Sequence, residues 1–365
     1  MRQGEVNRMC RGSSGAPLHG FLLPIAVLAV LAAIAELAPV AAAEEDALQR
    51  YSKTELHMAV EFQMVLYAPD EKTAEKAFQA AFSRVAELNQ KLSDYEAESE
   101  LSRLSATAGT QKEVQLSDDL LVVLVASQEL SEASGGAFDV TSGPLTKLWR
   151  RARRQKELPS PERIAETRAA VGYQHLKLNR DAGTAVLERP DMRLDLGGIA
   201  KGYAADEALR ALQRAGVSHA LVRASGDIVT GDAPPGSKGW TIGLAPLDPD
   251  APPTTFVTLA NAAVSTSGDS RQHLVVDGRR YSHLIDPRVG APVEGRSSVS
   301  VIAPTGILAD SLASAVSVLG REEGMELVDR TEGAAALTIW QADDEKPPVI
   351  AKSKRFDAFL IPSQP

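Results

Sequence analysis

A glycine pair followed by a lysine at the start of a predicted helix is the part of this sequence best suited to chemistry. In residues 194–206, Asp195 precedes Gly197 and Gly198, and Lys201 follows them within one helical turn. Glycine lets the backbone approach a ligand closely, and the free N–H groups at a helix start attract negative charge. Because lysine adds a point charge, this stretch predicts a binding site for a phosphate-bearing ligand.

A carboxylate and a hydroxyl share one face of a second predicted helix. Asp310 and Ser314 are separated by four positions, so they project from the same side of a helix over 306–319. Two such oxygen ligands suit a hard cation such as Mg²⁺, which also binds substrate phosphates. The same pattern occurs on the polar face of an ordinary surface helix, so the pair alone does not identify a metal site.

His283 and Asp286 lie near the end of a predicted strand, where catalytic groups are often presented. A histidine there can act as general acid or base near neutral pH, and Asp286 is close enough in sequence to compete for that role. The plainer alternative is a strand-edge histidine beside an Asp-Pro turn. The sequence has no GxSxG, HExxH, CxxC or Walker pattern, which argues against several common hydrolase and NTPase classes.

Two aromatic–acid pairs follow predicted helices. Tyr95 comes directly after Asp94, and Phe138 stands between Ala137 and Asp139. Such pairs can flank a planar ring while a carboxylate or backbone group meets its polar edge. Each pair alone is a weak signal, because an aromatic residue after a helix is more often part of the core.

The elements that position these residues can be read from periodicity and turn signals. Helices are predicted over 71–92, from an N-cap at Ser117 to before Gly135, from Ser160 and Pro161 to before Gly172, over 199–215 and over 306–319. Strands are predicted over 56–67, 220–227, 240–244, 255–259 and 297–302, with a hairpin over 273–285 that turns at Asp277 and Gly278.

These elements predict an α+β fold with a mixed, largely antiparallel sheet and packed helices. Residues 146–160 and 245–254 resemble insertions or long loops, and the basic run over 150–156 reads as a solvated loop face. The chain carries a net charge of -9, so we expect no nucleic-acid partner.

The N-terminus has the pattern of an export signal. Arginines precede an uncharged apolar run over 21–35, which is shorter than the roughly 20 residues that span a bilayer. We interpret 1–43 as a signal peptide and 44–365 as one domain; an uncleaved anchor is the alternative. The only cysteine, Cys10, precedes the apolar run, so the cleaved protein would have no disulfide.

Taken together and in this order, the motifs resemble those of the ApbE family of flavin transferases, over about residues 58–320. The matching blocks are residues 92–103, 136–145, 194–203, 267–269, 281–288 and 309–314. The resemblance implies an Mg²⁺-dependent enzyme that transfers FMN from FAD to a threonine or serine hydroxyl of an acceptor flavoprotein subunit and releases AMP.

The resemblance also implies roles for individual residues. It places Mg²⁺ on the backbone carbonyl of Gly198 and the side chains of Asp310 and Ser314, and it makes His283 the best candidate for the proton of the attacking hydroxyl. The residues that it implies around FAD are Met58, Tyr95, Ala137, Phe138, Asp139, Asp195, Lys201 and Ile285.

The sequence departs from the family pattern at three places. Ser314 replaces the usual threonine, which keeps the oxygen but loses the β-branch that restricts its rotamer. Ser225 begins a Ser-Gly-Asp stretch where the family often has Gly-Gly-Asp, and a basic run follows Trp149 in place of a short Gly/Phe-containing link. The last departure concerns the surface on which an acceptor protein would dock.

Two other functions use the same site and stay open from the sequence. One is a hydrolase that splits FAD into FMN and AMP with water, and the other is a non-catalytic flavin-binding protein. We expect the protein in the periplasm or at the outer face of the cytoplasmic membrane, where an uncleaved leader would keep it associated with the membrane.

Overall fold

The computed structural model describes residues 48–268, 273–276, 278–342 and 346–361. The predictions on the leader, on Cys10, on Asp277 and on the end of the 267–269 block therefore lie outside the described residues. Within the described part, no helix is both long enough and apolar enough to cross a membrane.

Sixteen strands occur in the described residues. They are β1 (Gln49–His57), β2 (Val60–Ala68), β3 (Val114–Gln115), β4 (Leu176–Asn179), β5 (Thr184–Leu187), β6 (Ala220–Ala224), β7 (Asp227–Thr230), β8 (Trp240–Gly243), β9 (Phe256–Leu259), β10 (Ala262–Gly268), β11 (His273–Val276), β12 (Arg279–Asp286), β13 (Ala291–Glu294), β14 (Arg296–Ala303), β15 (Ala335–Gln341) and β16 (Val349–Lys352).

The helices alternate irregularly with these strands. They are α1 (Glu71–Leu92), α2 (Glu100–Ser105), α3 (Asp118–Ala133), α4 (Gly143–Gln155), α5 (Pro161–Arg168), α6 (Ala200–Arg214), α7 (Gly306–Leu319) and α8 (Arg321–Arg330), with short 3₁₀ segments at Tyr173–His175 and Phe356–Phe359.

The central sheet has eight strands in the order β1-β2-β6-β7-β10-β14-β15-β16. Every neighbouring pair in it is antiparallel. Smaller sheets are formed by β11-β12-β13, β3-β5-β4 and β8-β9. The predicted α+β class with a largely antiparallel sheet is confirmed.

Both faces of the central sheet are buried. Alternate residues of a strand point to opposite faces, so β2 sends Phe62 and Met64 into the main core and Val65 into a second one. The main core includes apolar side chains of α1, α6 and α7. The second core is closed by the β8-β9 hairpin, with Trp240, and by Phe356. The helical side of the sheet is where the candidate site lies.

Several predicted helix ends are confirmed because the capping side chains make the expected bonds. Ser117 accepts a hydrogen bond from the N–H of Leu120 at the start of α3, and Ser160 accepts one from Arg163 at the start of α5. Helices α1 and α7 have the predicted bounds. The local sequence of these helices was therefore sufficient to predict where they lie.

Two predicted strands are wrong because each contains a hairpin turn. The strand predicted over 56–67 is β1 and β2, joined at Met58 and Ala59, whose φ angles are 50° and 60°. Turns with two positive φ angles usually contain glycine or asparagine, which this one lacks. Likewise, β6 ends before a turn at Ser225 and Gly226, so Asp227 begins β7.

The long loop predicted over 146–160 is also wrong, since most of it is helix α4. Leu145, Trp149 and Ala152 are buried on one side of this helix, and Trp149 Nε1 donates to the carbonyl of Gly290 at 2.9 Å. The helix is amphipathic, and its basic residues lie mostly away from this buried side. Because these residues follow one another in the sequence, the helical period of the apolar residues is hard to recognise.

Candidate functional site

Helices α6 and α7 approach each other closely at two glycines. A Cβ added to Gly202 would lie 2.1 Å from the carbonyl oxygen of Gly306, and a Cβ on Gly306 would lie 2.5 Å from the carbonyl oxygen of Gly202. Asp206 of α6 accepts hydrogen bonds from the N–H groups of Gly306 and Ile307 at 2.7 and 2.9 Å. The start of α7 is therefore fastened to α6 by backbone contact and by a carboxylate cap.

This contact assembles a buried cluster of one lysine and two aspartates. Lys201 Nζ lies 3.3 Å from Asp310 Oδ2 and 3.4 Å from Asp227 Oδ2, and it donates to the carbonyl of Gly197 at 2.9 Å. Asp310 Oδ2 also accepts a hydrogen bond from the N–H of Gly202 at 3.0 Å. Both aspartate side chains are only 4% exposed. We call Lys201, Asp227 and Asp310 the α6–α7 cluster.

Two carboxylates and one ammonium leave the α6–α7 cluster with an excess of negative charge. Burial and then the Asp227 carboxylate raise the pKa of Asp310 to about 7. Burial opposes the charge of Lys201, but Asp227 and Asp310 outweigh it and raise the pKa of Lys201. Asp227 Oδ2 is buried and has no hydrogen-bond donor among the described residues, apart from its ion pair with Lys201. A bound cation would satisfy this charge.

Gly198 and Ser314 lie side by side next to the cluster. A Cβ on Gly198 would lie 2.7 Å from Ser314 Oγ and 3.5 Å from the Phe138 ring. Ser314 follows Asp310 by one turn of α7, so the three residues predicted as metal ligands belong to one region. Among the described residues, no group of three or more His, Cys, Asp or Glu side chains forms a metal site. A cation here would rest mainly on hydroxyl and carbonyl oxygens with one carboxylate.

A second ion cluster surrounds Tyr95. Arg150 of α4 lies 2.8 Å from Asp94 Oδ2 and 3.2 Å from Asp195 Oδ2, and its guanidinium carbon is 4.7 Å from the centre of the Tyr95 ring. The other oxygen of Asp195 accepts the N–H of Gly197 at 2.9 Å. Tyr95 is 71% exposed, which leaves part of its ring available for stacking.

Arg150 balances two carboxylates that would otherwise repel each other. Burial and the charge of Asp195 raise the pKa of Asp94, although Arg150 acts in the opposite direction. For Arg150 itself, burial is outweighed by Asp195 and Asp94, which raise its pKa. Arg150 is a site residue that the predicted loop over 146–160 left out, because the charges of 143–155 obscure the helical period. The apolar spacing of Leu145, Trp149 and Ala152 was the available signal.

The Asp139 carboxylate accepts hydrogen bonds from nearby backbone and hydroxyl groups of the protein. Its Oδ1 accepts hydrogen bonds from the N–H and the hydroxyl of Thr141, both at 2.7 Å, and its Oδ2 accepts the N–H of Tyr173 at 2.8 Å. Burial raises the pKa of Asp139. Ala137 and Phe138 are buried beside it. The loop is thus held in shape by Asp139, and the Phe138 ring is the part of it that faces Gly198.

Three further predicted site residues, Met58, His283 and Ile285, lie on other elements of the fold. Met58 occupies the β1-β2 turn, at the same end of the sheet as Asp227, because Phe62 pairs with Ala224 and Ala224 pairs with Asp227. Strand β12 carries His283 and Ile285 and contacts both α4 and α7.

Asp286, the competing candidate for the proton, is held by an arginine. The carboxylate of Asp286 accepts the N–H and Nε–H of Arg288, both at 2.9 Å, and pairs with its Nη2 at 2.8 Å. Asp286 is therefore occupied by an arginine, which weakens it as a proton acceptor. His283 is half-buried on the strand that lies against α7.

Comparison with known proteins agrees with this architecture. A model of the ApbE family matches residues 56–338. A protein of Haemophilus influenzae named FAD:protein FMN transferase is 30% identical over 279 residues, which cover 73% of this chain and 79% of the relative. The protein of the same name from Escherichia coli K12 is 32% identical over 279 residues, or 75% and 78% of the two chains.

Solved structures of ApbE proteins have a similar fold. The flavin transferase ApbE of Vibrio cholerae has a TM-score of 0.75 and 28% identity, covering 86% of this chain and 100% of its own. The flavinyl transferase ApbE of Pseudomonas stutzeri, in its apo form, has a TM-score of 0.74 and 32% identity, covering 86% and 97%.

Arg150→Met tests the second ion cluster. Removing the guanidinium leaves Asp94 and Asp195 without their shared cation, so we expect a loss of about 2 kcal/mol in the free energy of unfolding. Amide hydrogen exchange should rise in residues 93–97 and 194–198. Arg151→Met, on the exposed side of the same helix, should change neither measurement. Equal protection in the Arg150 variant and the native protein would contradict the assignment.

Proposed function

The chain belongs to the ApbE family, and we propose that it is an FAD:protein FMN transferase that moves FMN from FAD to a threonine or serine hydroxyl of another protein. The family match extends over 56–338, and the curated relatives named above share this activity by name. The observation that carries the proposal is the α6–α7 cluster, with Gly198 and Ser314 beside it. Excess negative charge held next to a lysine and a glycine turn suits a metal-assisted reaction of a diphosphate.

In this proposal FAD lies across the two ion clusters. Tyr95, backed by Arg150, offers an aromatic face to one of the flavin-nucleotide rings, and the Phe138 loop borders the turn at Gly198. Asp195 connects the two regions, because it binds Arg150 with one oxygen and the N–H of Gly197 with the other. Ring stacking and polar edge contacts of this kind usually orient a bound nucleotide.

Oxygen ligands in this region fit Mg²⁺. The carbonyl of Gly198, the carboxylate of Asp310 and the hydroxyl of Ser314 would hold it, and the buried Asp227 oxygen without a hydrogen-bond donor adds negative charge nearby. When bound, Mg²⁺ would neutralise charge on the diphosphate of FAD. Serine at 314 supplies the oxygen that this set needs, with a less restricted rotamer than threonine.

The proposed chemistry needs one proton acceptor. The acceptor hydroxyl oxygen forms a bond to the phosphorus on the FMN side, and the bond from that phosphorus to the bridging oxygen breaks. AMP leaves with the bridging oxygen, and FMN remains on the acceptor as a phosphoester. We assign the hydroxyl proton to His283, because Arg288 occupies the carboxylate of Asp286.

We also propose that the reaction takes place outside the cytoplasmic membrane, in the periplasm or at its outer face. This rests on the residue pattern of 1–43, a basic start followed by a short apolar run.

An acceptor assay tests the proposed function. The chain from residue 44 is incubated with FAD, Mg²⁺ and candidate flavoprotein subunits, and the products are examined for in-gel flavin fluorescence and an added FMN mass. We expect one FMN per acceptor and an equal amount of AMP. If free FMN and AMP appear without a labelled protein, the enzyme is an FAD hydrolase. If FAD is bound and not consumed, it is a flavin-binding protein.

Asp310→Ala is expected to abolish turnover at any FAD concentration, since it removes a metal ligand and not merely affinity for FAD. Titration calorimetry with Mg²⁺ should show that binding is lost as well. Ser311→Ala is the matched control, because the neighbouring hydroxyl donates to carbonyls of its own helix, with that of Ile307 at 2.8 Å. Native turnover in the Asp310 variant would show that the metal assignment is wrong.

His283→Ala should lower turnover by about 10²- to 10⁴-fold while the dissociation constant for FAD stays within about twofold. Flavin fluorescence titration measures the second quantity and separates a chemical role from a structural one. Asp286→Asn serves as the comparison and should have a much smaller effect. An unchanged rate in the His283 variant would show that Asp286 or water, and not His283, accepts the proton.

A further inference from the structure

Helix α4 carries an unusual concentration of positive charge for a chain of net charge -9. Its 13 residues contain no Asp or Glu. Its basic residues are Lys147, Arg150, Arg151, Arg153 and Arg154. Such a segment in an acidic protein calls for a physical reason beyond solubility.

The cations of α4 form a continuous surface. Lys147, Arg151 and Arg154 are separated by four and three positions, so they share the helix face opposite the buried Trp149 and Ala152. All three are exposed. Arg153 is half-buried at the edge of this surface. We call Lys147, Arg151, Arg153 and Arg154 the α4 cationic face.

No carboxylate in the described part of the chain forms an ion pair with these four residues. Arg151 Nε donates to the amide oxygen of Gln155 at 3.1 Å. Burial and the neighbouring Arg150 charge lower the pKa of Arg153. On the next helix, by contrast, Arg163 pairs with Glu166 at 3.1 Å. The helix dipole favours cations in the last turn but does not account for Lys147 or Arg151.

The position of α4 relates this charge to the candidate site. Arg150 lies beside the α4 cationic face and binds Asp195, whose other oxygen holds the N–H of Gly197. The carbonyl of Gly197 in turn accepts from Lys201. Helix α4 is therefore connected through Arg150 to the region where, under the proposed function, the acceptor hydroxyl must arrive.

We propose that the α4 cationic face is the docking surface for an acidic segment of the acceptor protein. This inference rests on the proposed function, because it names the kind of partner that the transferase takes. An acidic segment would be repelled by most of a protein of net charge -9, so a local positive face both attracts it and sets its orientation.

A protein segment fits this surface better than a membrane does. The apolar residues Leu145, Trp149 and Ala152 are buried in the protein, so α4 has no exposed apolar face that could insert into a bilayer. A helix of 13 residues is about 20 Å long, which matches a short extended peptide. The exposed charges are arginines and a lysine, and arginine forms bidentate bonds with carboxylates.

Peptide binding to the full domain tests the inference. The probe is a fluorescein-labelled peptide with one threonine flanked by Asp and Glu, and its control has Asn and Gln at the same positions. We expect fluorescence anisotropy to show binding of the acidic peptide only, and binding should weaken when NaCl is raised from about 50 to about 300 mM. Equal binding of the two peptides would overturn the proposal.

A double variant locates the binding surface. Arg151→Gln with Arg154→Gln should weaken binding of the acidic peptide by about tenfold. Lys112→Gln with Arg214→Gln makes the same change in net charge at exposed positions outside α4 and should stay within about twofold of native. An equal loss in both double variants would mean that net charge, not α4, governs binding. Arg151→Glu with Arg154→Glu should instead bind a Lys-flanked peptide.

Two further measurements separate the outcomes. Binding to phosphatidylglycerol vesicles that depends on Arg151 and Arg154, without binding of the acidic peptide, would overturn the proposal in favour of a lipid surface. FAD binding and FMN transfer are measured on the same variants. Loss of the peptide preference with transfer intact refutes this inference and leaves the proposed function standing. Peptide binding without any transfer refutes the proposed function, and with it the identity of the bound segment as part of an acceptor.

Discussion

The contact between Gly202 and Gly306 is the constraint on which the candidate site depends. Only hydrogen side chains permit the two backbones to come this close. Because α6 and α7 meet there, Lys201 reaches Asp310, and Gly198 lies against Ser314. A methyl group at either glycine would push the helices apart and separate the groups that the proposed metal requires.

Two half-buried cations, each placed between two carboxylates, organise the site. Lys201 stands between Asp227 and Asp310, and Arg150 stands between Asp94 and Asp195. Asp195 and Gly197 connect the clusters through hydrogen bonds. A cation between two carboxylates holds together segments that are distant in sequence, and it reduces the repulsion between the two carboxylates. Under the proposed function, one end of the site would take the diphosphate of FAD and the other end a planar ring.

Local signals were sufficient where they were strong. Helices α1, α3 and α7 and the antiparallel class of the sheet followed from side-chain period and turn residues. The failures include the β1-β2 turn at Met58 and Ala59, which lacks glycine, and helix α4, where charge obscured the apolar period. Helix α4 is tied to a segment distant in sequence by the hydrogen bond from Trp149 Nε1 to the carbonyl of Gly290, which a local sequence pattern does not reveal.

By itself, the sequence determined the residue types that can do chemistry and their placement on a glycine turn, a helix face and a strand end. The tertiary structure alone decided their distant partners: Asp227 joins Lys201, Arg150 joins Asp195, and Asp139 accepts the N–H of Tyr173. The physical reason is range. Turn and helix preferences act over a few residues, whereas the pairing of buried charges depends on which segments the folded core brings within a few ångströms of one another.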